Sequence, residues 1–272
     1  MVSQETIIAI LLAFFITGVI PAITGIVLLA SRKLKGSAFW YGILSALAAT
    51  IIVLIPALAT QGGNPAQEGS AFVALQLLNA AVSAAALALG VMVILKKSRD
   101  FKGAVSCGIG YGMFYSISIG LQNISLYVTA AMINSGTFES MYAPAIESRR
   151  ITREQVIEIK RQIIEFTALD SAAYIISALA GFMLYTALCL IFMKGIFANK
   201  KAIALLAGVC VSLACTVPVM LFQDNLFPAS LAGAVISLVT LVISLRFRKS
   251  LSEALPSPAP KPDSFMNSID AN

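Results

Sequence analysis

The chain has no histidine among its 272 residues. Histidine is the commonest metal ligand and the commonest general base near neutral pH, so its absence removes the usual basis of metal-dependent and serine-type hydrolysis. Charged residues are also scarce, at 12% of the sequence, whereas a soluble domain carries about 25%. Apolar residues reach 58%, and the mean hydropathy is +0.89. These values predict a polytopic membrane protein.

None of the four cysteines lies in a predicted exposed loop, so we expect no disulfide framework. Cys107, Cys189, Cys210 and Cys215 all fall in apolar segments, where cysteine usually behaves as a small apolar residue. A thiolate metal site is the remaining possibility, but Cys210 and Cys215 are poorly spaced for one helical face. The net charge of +6 reflects Lys and Arg at the ends of apolar segments. We therefore expect no nucleic-acid partner.

Seven apolar segments predict an all-α bundle of seven transmembrane helices, since about 20 residues suffice to cross a bilayer. They cover residues 5–30, 38–60, 71–95, 104–134, 168–193, 202–222 and 230–245. No charged residue lies in the middle of a segment, which argues against an ion-coupled transporter or a proton pump. We assign residues 1–250 to the membrane domain and residues 251–272, rich in Pro and Ser, to a disordered cytoplasmic tail.

The distribution of basic residues predicts the orientation of the bundle. Lys and Arg follow the first, third, fifth and seventh segments, and the loops after the second and sixth segments have none. By the positive-inside rule the N-terminus lies outside and the C-terminus lies in the cytoplasm. The long connection after the fourth segment is then outside. Its apolar residues at helical spacing, from Ile151 to Ile163, predict an amphipathic helix at about 150–166.

The fourth segment, AVSCGIGYGMFYSISIGLQNISLYVT, is unusually rich in glycine and in polar residues. Gly108, Gly110 and Gly112 predict close packing against neighbouring helices. Polar groups such as those of Gln122 and Asn123 need partners inside a bundle, because lipid offers none. In the first segment, Pro21 predicts a kink.

Three stretches carry a resemblance to a known family. GIGYGMFYSISIGLQNISLYVTAAMINSGTF resembles the signature of the YhfC-type intramembrane metalloproteases, which reads roughly G-x-G-H-G-G-x-E at this helix. YTALCLIF resembles a family helix that begins H-I-A-L-S-V. SLACTVPVMLFQ resembles a helix of the form H-A-x-x-D-x-P-A-x-x-Y-Q. In topology the resemblance covers nearly the whole chain, and it implies a multi-pass protein of the bacterial plasma membrane.

The resemblance also shows which residues have been replaced. Tyr111, Tyr185 and Ser212 stand at the three histidine positions, Tyr115 stands at or next to the glutamate, and Thr216 stands at the aspartate. A catalytic zinc needs about three ligands from His, Asp, Glu or Cys. A phenol of pKa ~10 and an aliphatic hydroxyl are poor substitutes. We therefore expect no catalytic residues, no metal and no cofactor, and we predict packed side chains or a small apolar pocket at these five positions.

Several functions remain open from the sequence. The first is a non-catalytic, pseudoprotease-like membrane protein that binds a lipid, another membrane protein or a hydrophobic peptide. The second is an intramembrane metalloprotease with unorthodox ligands, and the third is a small-solute transporter or the membrane subunit of one. A serine-type hydrolase built on Ser212 or Ser116 would lack a general base. The tyrosines could also serve only for aromatic packing, with each hydroxyl bonded to a nearby carbonyl.

Overall fold

The computed structural model describes residues 1–61, 70–93, 100–148, 151–222, 225–248 and 251. Within these ranges every regular element is helical, and seven helices are long and apolar enough to cross a membrane, as predicted. The seven are α1 (Gln4–Ala30), α2 (Gly36–Gln61), α3 (Ser70–Val93), α4 (Phe101–Ser135), α7 (Ala168–Phe197), α8 (Lys201–Leu221) and α9 (Leu226–Leu245). The predicted tail lies, except for residue 251, outside the described residues.

Two shorter helices, α5 (Phe138–Glu147) and α6 (Arg153–Ile164), lie in the connection between α4 and α7. The sequence predicted a helix in the region of α6 but not α5. Both helices contribute to an apolar cluster with the ends of α1 and α4, which contains Val2, Ala130, Ile133, Phe138, Val156 and Ile163. Outside this cluster, Lys160 of α6 pairs with Glu139 of α5. The two helices therefore cover the end of the bundle at which the N-terminus lies.

Local sequence signals determine where several helices begin and end. The Asp100 side chain accepts a hydrogen bond of 2.7 Å from the Gly103 backbone N–H and begins α4. Gly136, with φ +75°, ends the same helix in the left-handed conformation that glycine adopts without strain. Capping boxes at Thr152 and Thr167 begin α6 and α7. These caps satisfy backbone groups that lipid could not.

Helix α1 contains a π turn at Phe15–Val19, and it continues through Pro21 as an α-helix. The expected kink therefore takes the form of a π turn just before the proline. Pro21 has no N–H, so it cannot bond to the Thr17 carbonyl four residues earlier. The Ser116 hydroxyl of α4 donates to that carbonyl instead, at 2.6 Å. A side chain of α4 thus replaces the helical hydrogen bond that the proline removes.

Helices α4 and α7 form the centre of the bundle and pack against each other. Helices α1 and α2 pack on α4, and α8 and α9 pack on α7. Helix α3 contacts α2, α8 and α7, and so closes the bundle between its two halves. The odd number of long helices places residues 1–3 and residues 246–248 at opposite ends of the bundle.

Glycines on α4 allow its backbone to approach both neighbours closely. A Cβ added to Gly108 would lie 2.4 Å from the Thr186 Cα of α7, and one added to Gly112 would lie 2.8 Å from the Phe182 Cα. On the α2 side, a Cβ at Gly110 would lie 2.1 Å from the Phe39 carbonyl oxygen. All three distances are shorter than any real Cβ contact. These three positions therefore have no room for a side chain.

Candidate functional site

Three tyrosines of α4 and α7 form one aromatic cluster near the middle of the bundle. The ring centroids of Tyr111 and Tyr185 are 4.1 Å apart, and those of Tyr115 and Tyr185 are 5.5 Å apart in an edge-to-face arrangement. The Tyr115 ring lies directly over Gly181, where an added Cβ would come within 2.3 Å of the ring. Three of the five predicted site residues therefore lie side by side.

A cavity of about 150 Å³, which we call the inner cavity, lies beside this cluster and is lined by α3, α4, α7, α8 and α9. Four predicted positions, Tyr115, Tyr185, Ser212 and Thr216, line it together, whereas Tyr111 does not. Amides and hydroxyls line the cavity together with apolar side chains such as Leu184 and Val219. Its polar or thiol side chains are Gln76, Asn79, Ser83, Tyr115, Ser177, Tyr185, Ser212, Cys215, Thr216, Ser230 and Ser237.

A second cavity of about 280 Å³ lies on the other side of the aromatic cluster, between α2, α3, α4 and α7. Tyr111 lines this one. Its further lining residues are Ala46, Thr50, Val53, Leu54, Phe114, Ser118 and Gln122. The side chains common to both cavities are Asn79, Ser83, Tyr115 and Tyr185. These four residues, which we call the partition, separate the two spaces by a single layer of side chains.

Some polar groups of the inner cavity are paired. The hydroxyls of Ser177 on α7 and Ser230 on α9 lie 2.8 Å apart, and the Thr216 hydroxyl donates to the Ser212 carbonyl at 2.9 Å. Others are not: within the described part of the chain, the side chains of Gln76 and Ser212 have no hydrogen-bond partner. The cavity therefore offers free donors and acceptors from α3 and α8.

The residues at this site do not fit a catalytic zinc ion. Among the described residues, no Asp, Glu, Lys or Arg lines either cavity, and Cys215 is the one cysteine that does. Across the described residues, no group of three or more His, Cys, Asp or Glu side chains could hold a metal ion. Zinc needs three or four such ligands at bonding distance. What the site provides is uncharged hydrogen-bonding groups.

The spacing of polar and small residues in the sequence indicates which residues of α3 and α9 line the inner cavity. Gln76, Asn79 and Ser83 follow one another at intervals of three and four residues, and Ser230, Gly233 and Ser237 do the same. This spacing places each set on one face of its helix. Polar residues on one face of a membrane helix indicate a face that is turned away from lipid. The two faces meet at the inner cavity.

The comparison with protein families agrees with the resemblance found in the sequence. The family model described as YhfC intramembrane metalloprotease matches residues 29–237. The chain belongs to the YhfC family. Every residue that lines the inner cavity, from Gln76 to Ser237, lies within the matched segment. No curated protein and no solved structure matches the chain.

Membership in the YhfC family identifies a metalloprotease-like, multi-pass membrane protein, in agreement with the seven apolar helices. The family description implies a metal ion. The inner cavity is lined by Tyr185, Ser212 and Thr216, which the resemblance in the sequence predicts at ligand positions of the family. The family description therefore implies a metal-dependent protease, whereas the described side chains include no group that could hold a metal ion.

Proposed function

We propose that this YhfC protein is non-catalytic and binds a molecule of the membrane in its inner cavity. One observation supports this proposal above the others. A cavity at the matched family positions is lined by uncharged polar side chains from five helices. Concave sites with a few convergent polar groups are where proteins bind small ligands.

Peptide-bond hydrolysis needs an activated water or a nucleophile with a base beside it. The described residues that line the inner cavity provide hydroxyls, amides and one thiol, with no carboxylate and no lysine, and the chain has no histidine. A hydroxyl with no base to take its proton is a weak nucleophile at neutral pH. The proposal of a non-catalytic protein follows from this inventory of side chains.

Free polar groups at the cavity favour binding. The Ser212 residue is 4% exposed, and its hydroxyl lines the cavity without a hydrogen bond to another described residue. A hydroxyl can both donate and accept, so a ligand placed there can form a hydrogen bond with it. Lipids, hydrophobic peptides and segments of other membrane proteins are the molecules that reach such a site from the bilayer.

The test combines elemental analysis with native mass spectrometry of protein purified in mild detergent. We expect less than stoichiometric zinc and a retained molecule. The variant Gly233→Leu directs a larger side chain toward the cavity and should lose that molecule. Gly36→Leu is the matched control, because nothing lies within 4 Å of an added Cβ there. Protein that is consistently bare in both measurements would contradict binding.

Family membership favours one second candidate, an intramembrane metalloprotease with unorthodox ligands. The same elemental analysis separates the two functions. One tightly held zinc ion per chain, together with cleavage of a bilayer-embedded substrate by the pure protein, would establish the protease. We expect neither, because the described residues provide no cluster of metal ligands.

A further inference from the structure

The inner cavity and the second cavity together have the form of a site for a molecule with a polar end and an apolar end. They share the four residues of the partition, so a single layer of side chains lies between them. Asn79 of this layer is exposed, although it lies within a membrane-spanning helix. Its side-chain carbonyl oxygen accepts a hydrogen bond of 3.4 Å from the Ser83 hydroxyl, which is long for such a bond. Displacement of the Asn79 side chain would join the two spaces.

Volume limits what the inner cavity holds. At about 150 Å³, it has the size of a cavity that holds benzene, or about five waters at ~30 Å³ each. A group of about six heavy atoms fits this space. A sugar phosphate or a turn of peptide does not. The occupant of the inner cavity is therefore a small polar group, and the rest of the molecule must lie elsewhere.

Charge limits the occupant further. In the part of the chain that the structure describes, no Lys or Arg that could neutralise a phosphate and no Asp or Glu that could neutralise an amine lines either cavity. An ion taken out of water without a partner of opposite charge is strongly disfavoured. The amide of Gln76 and the hydroxyl of Ser212 can each donate and accept. Uncharged hydroxyls are the ligand groups that match such a lining.

The second cavity provides a path for an apolar chain. Its lining combines Phe114 with Val53 and Leu54 of α2. Leu54 is 50% exposed, on a helix whose outer surface faces lipid. A chain that leaves the partition along this cavity would therefore reach the bilayer beside Leu54.

We infer that the site binds a neutral lipid with a small hydroxylated headgroup, of the acylglycerol class. Its glycerol hydroxyls contact Gln76 and Ser212 in the inner cavity, and an acyl chain leaves past the partition through the second cavity. This inference rests on the proposed function, since it specifies the ligand of the same cavity.

The test uses two photoactivatable lipids with identical acyl chains, diacylglycerol and phosphatidic acid, which differ only in the phosphate. Each is added to the full chain in nanodiscs and crosslinked, and labelled peptides are identified by mass spectrometry. We expect diacylglycerol to label α2, α3 or α8 at least fivefold more than phosphatidic acid, and unlabelled diacylglycerol to compete. Equal or stronger labelling by phosphatidic acid would overturn the inference.

Variants connect the labelling to the site. Replacing both polar groups, with Gln76→Leu and Ser212→Val, should lower diacylglycerol labelling at least fivefold. Ser125→Val is the matched control, because Ser125 lies on α4 and lines neither cavity. Its labelling should equal that of the unmodified chain, and both proteins should elute as folded species. Unchanged labelling in the folded double variant would overturn the inference.

The outcomes also separate this inference from the proposed function. Retention of a peptide or another protein, without diacylglycerol labelling, would overturn the lipid assignment and leave the binding function standing. A cavity that holds water alone would overturn both. Stoichiometric zinc with proteolysis would overturn the proposed function and the inference with it.

Discussion

Glycines at the contacts of α4 with α2 and α7 have little space around them, whereas Gly233, at the contact of α8 with α9, has more. Where α4 meets α2 and α7, glycines bring backbones together, and a Cβ at Gly110 would lie 2.1 Å from a carbonyl oxygen. Where α8 meets α9, the nearest atom to a Cβ at Gly233 would be the Cys215 carbonyl oxygen at 3.6 Å, an ordinary contact. Gly110 allows two backbones to touch, whereas Gly233 borders the space of the inner cavity. These two positions show close packing and open space within one bundle.

Membrane helices lack a hydrophobic driving force for association, because lipid tails are as apolar as leucine. Close backbone packing around α4 supplies that stability by dispersion contacts. On the cavity side, hydrogen bonds such as the Ser177–Ser230 pair connect α7 with α9. We therefore expect the two sides to differ in their tolerance of added volume and of lost hydroxyls.

The largest effect should come from Gly110→Ala. The added methyl group would meet the Phe39 carbonyl, which belongs to backbone and cannot rotate away, so α2 must separate from α4. Overpacking of this kind costs about 1–3 kcal/mol or more. Thermal unfolding in detergent, followed by intrinsic fluorescence, measures the change. Gly233→Ala should be neutral or slightly stabilising, and equal losses in both variants would remove the contrast between the two sides.

Ser116→Ala should have the next largest effect. It leaves the Thr17 carbonyl of the π turn buried without a donor, which costs about 1–3 kcal/mol. Denaturant unfolding measures the loss. Ser118→Ala is the control, because that hydroxyl bonds to the Phe114 carbonyl of its own helix. In a double-mutant cycle, Pro21→Ala should recover part of the loss by restoring an N–H donor; strict additivity would contradict this explanation.

A smaller effect is expected on the cavity side from Ser177→Ala. This variant removes one member of the hydroxyl pair between α7 and α9. Hydrogen bonds between membrane helices contribute about 0.6 kcal/mol on average. The comparison variant is Thr240→Val, whose hydroxyl bonds within its own helix to the Ile236 carbonyl. A loss at Ser177 as large as that at Ser116 would show that the two sides depend equally on their hydroxyls.

The smallest expected effect is that of acidification on α5 and α6, the two helices outside the membrane spans. A hydrogen bond from Lys160 lowers the pKa of Glu139 below its ordinary value of 4.5. A lowered folded-state pKa gives stabilisation that is present above pH 4.5 and is lost as the pH falls through the folded value. Exposed ion pairs are weak, so we expect only a slight loss of hydrogen-exchange protection in α5 and α6 on acidification.

Two variants check the source of this pH dependence. Glu139→Gln should remove it, because the amide cannot titrate. Glu154→Gln should leave the coupling of α5 and α6 unchanged, because a backbone hydrogen bond, and not a partner helix, is the main cause of the lowered pKa of Glu154. An identical acid response in all three proteins would assign the effect to other groups.

Much of the fold could be predicted from the sequence because lipid imposes simple rules. Each span is a long apolar run, and the helix that contains Val156 and Ile163 follows from apolar residues at helical spacing. Helix α5 was missed because it is short and lies within a polar connection, where it is stabilised by packing of Phe138 on α4 and α6. The π turn was missed because it depends on a donor from another helix, Ser116.

The candidate site could be predicted only in part. Motif positions identified Tyr115, Tyr185, Ser212 and Thr216, which the fold brings to one cavity. Its polar character was not predicted, since it depends on which helices are neighbours. Helix α3 contributes Gln76 only because it lies against α7 and α8. Spacing along one helix reveals a polar face but does not reveal what that face meets.

The π turn of α1 also affects how the chain tolerates changes in length. Such a turn holds one residue more than a regular helical turn. Deleting one residue within Phe15–Val19 would therefore remove the extra residue while both halves keep the faces that they present to α4. The same deletion in the middle of α7 would rotate everything beyond it by about 100°. The first transmembrane helix thus has a place where the chain can shorten by one residue without turning its contacts.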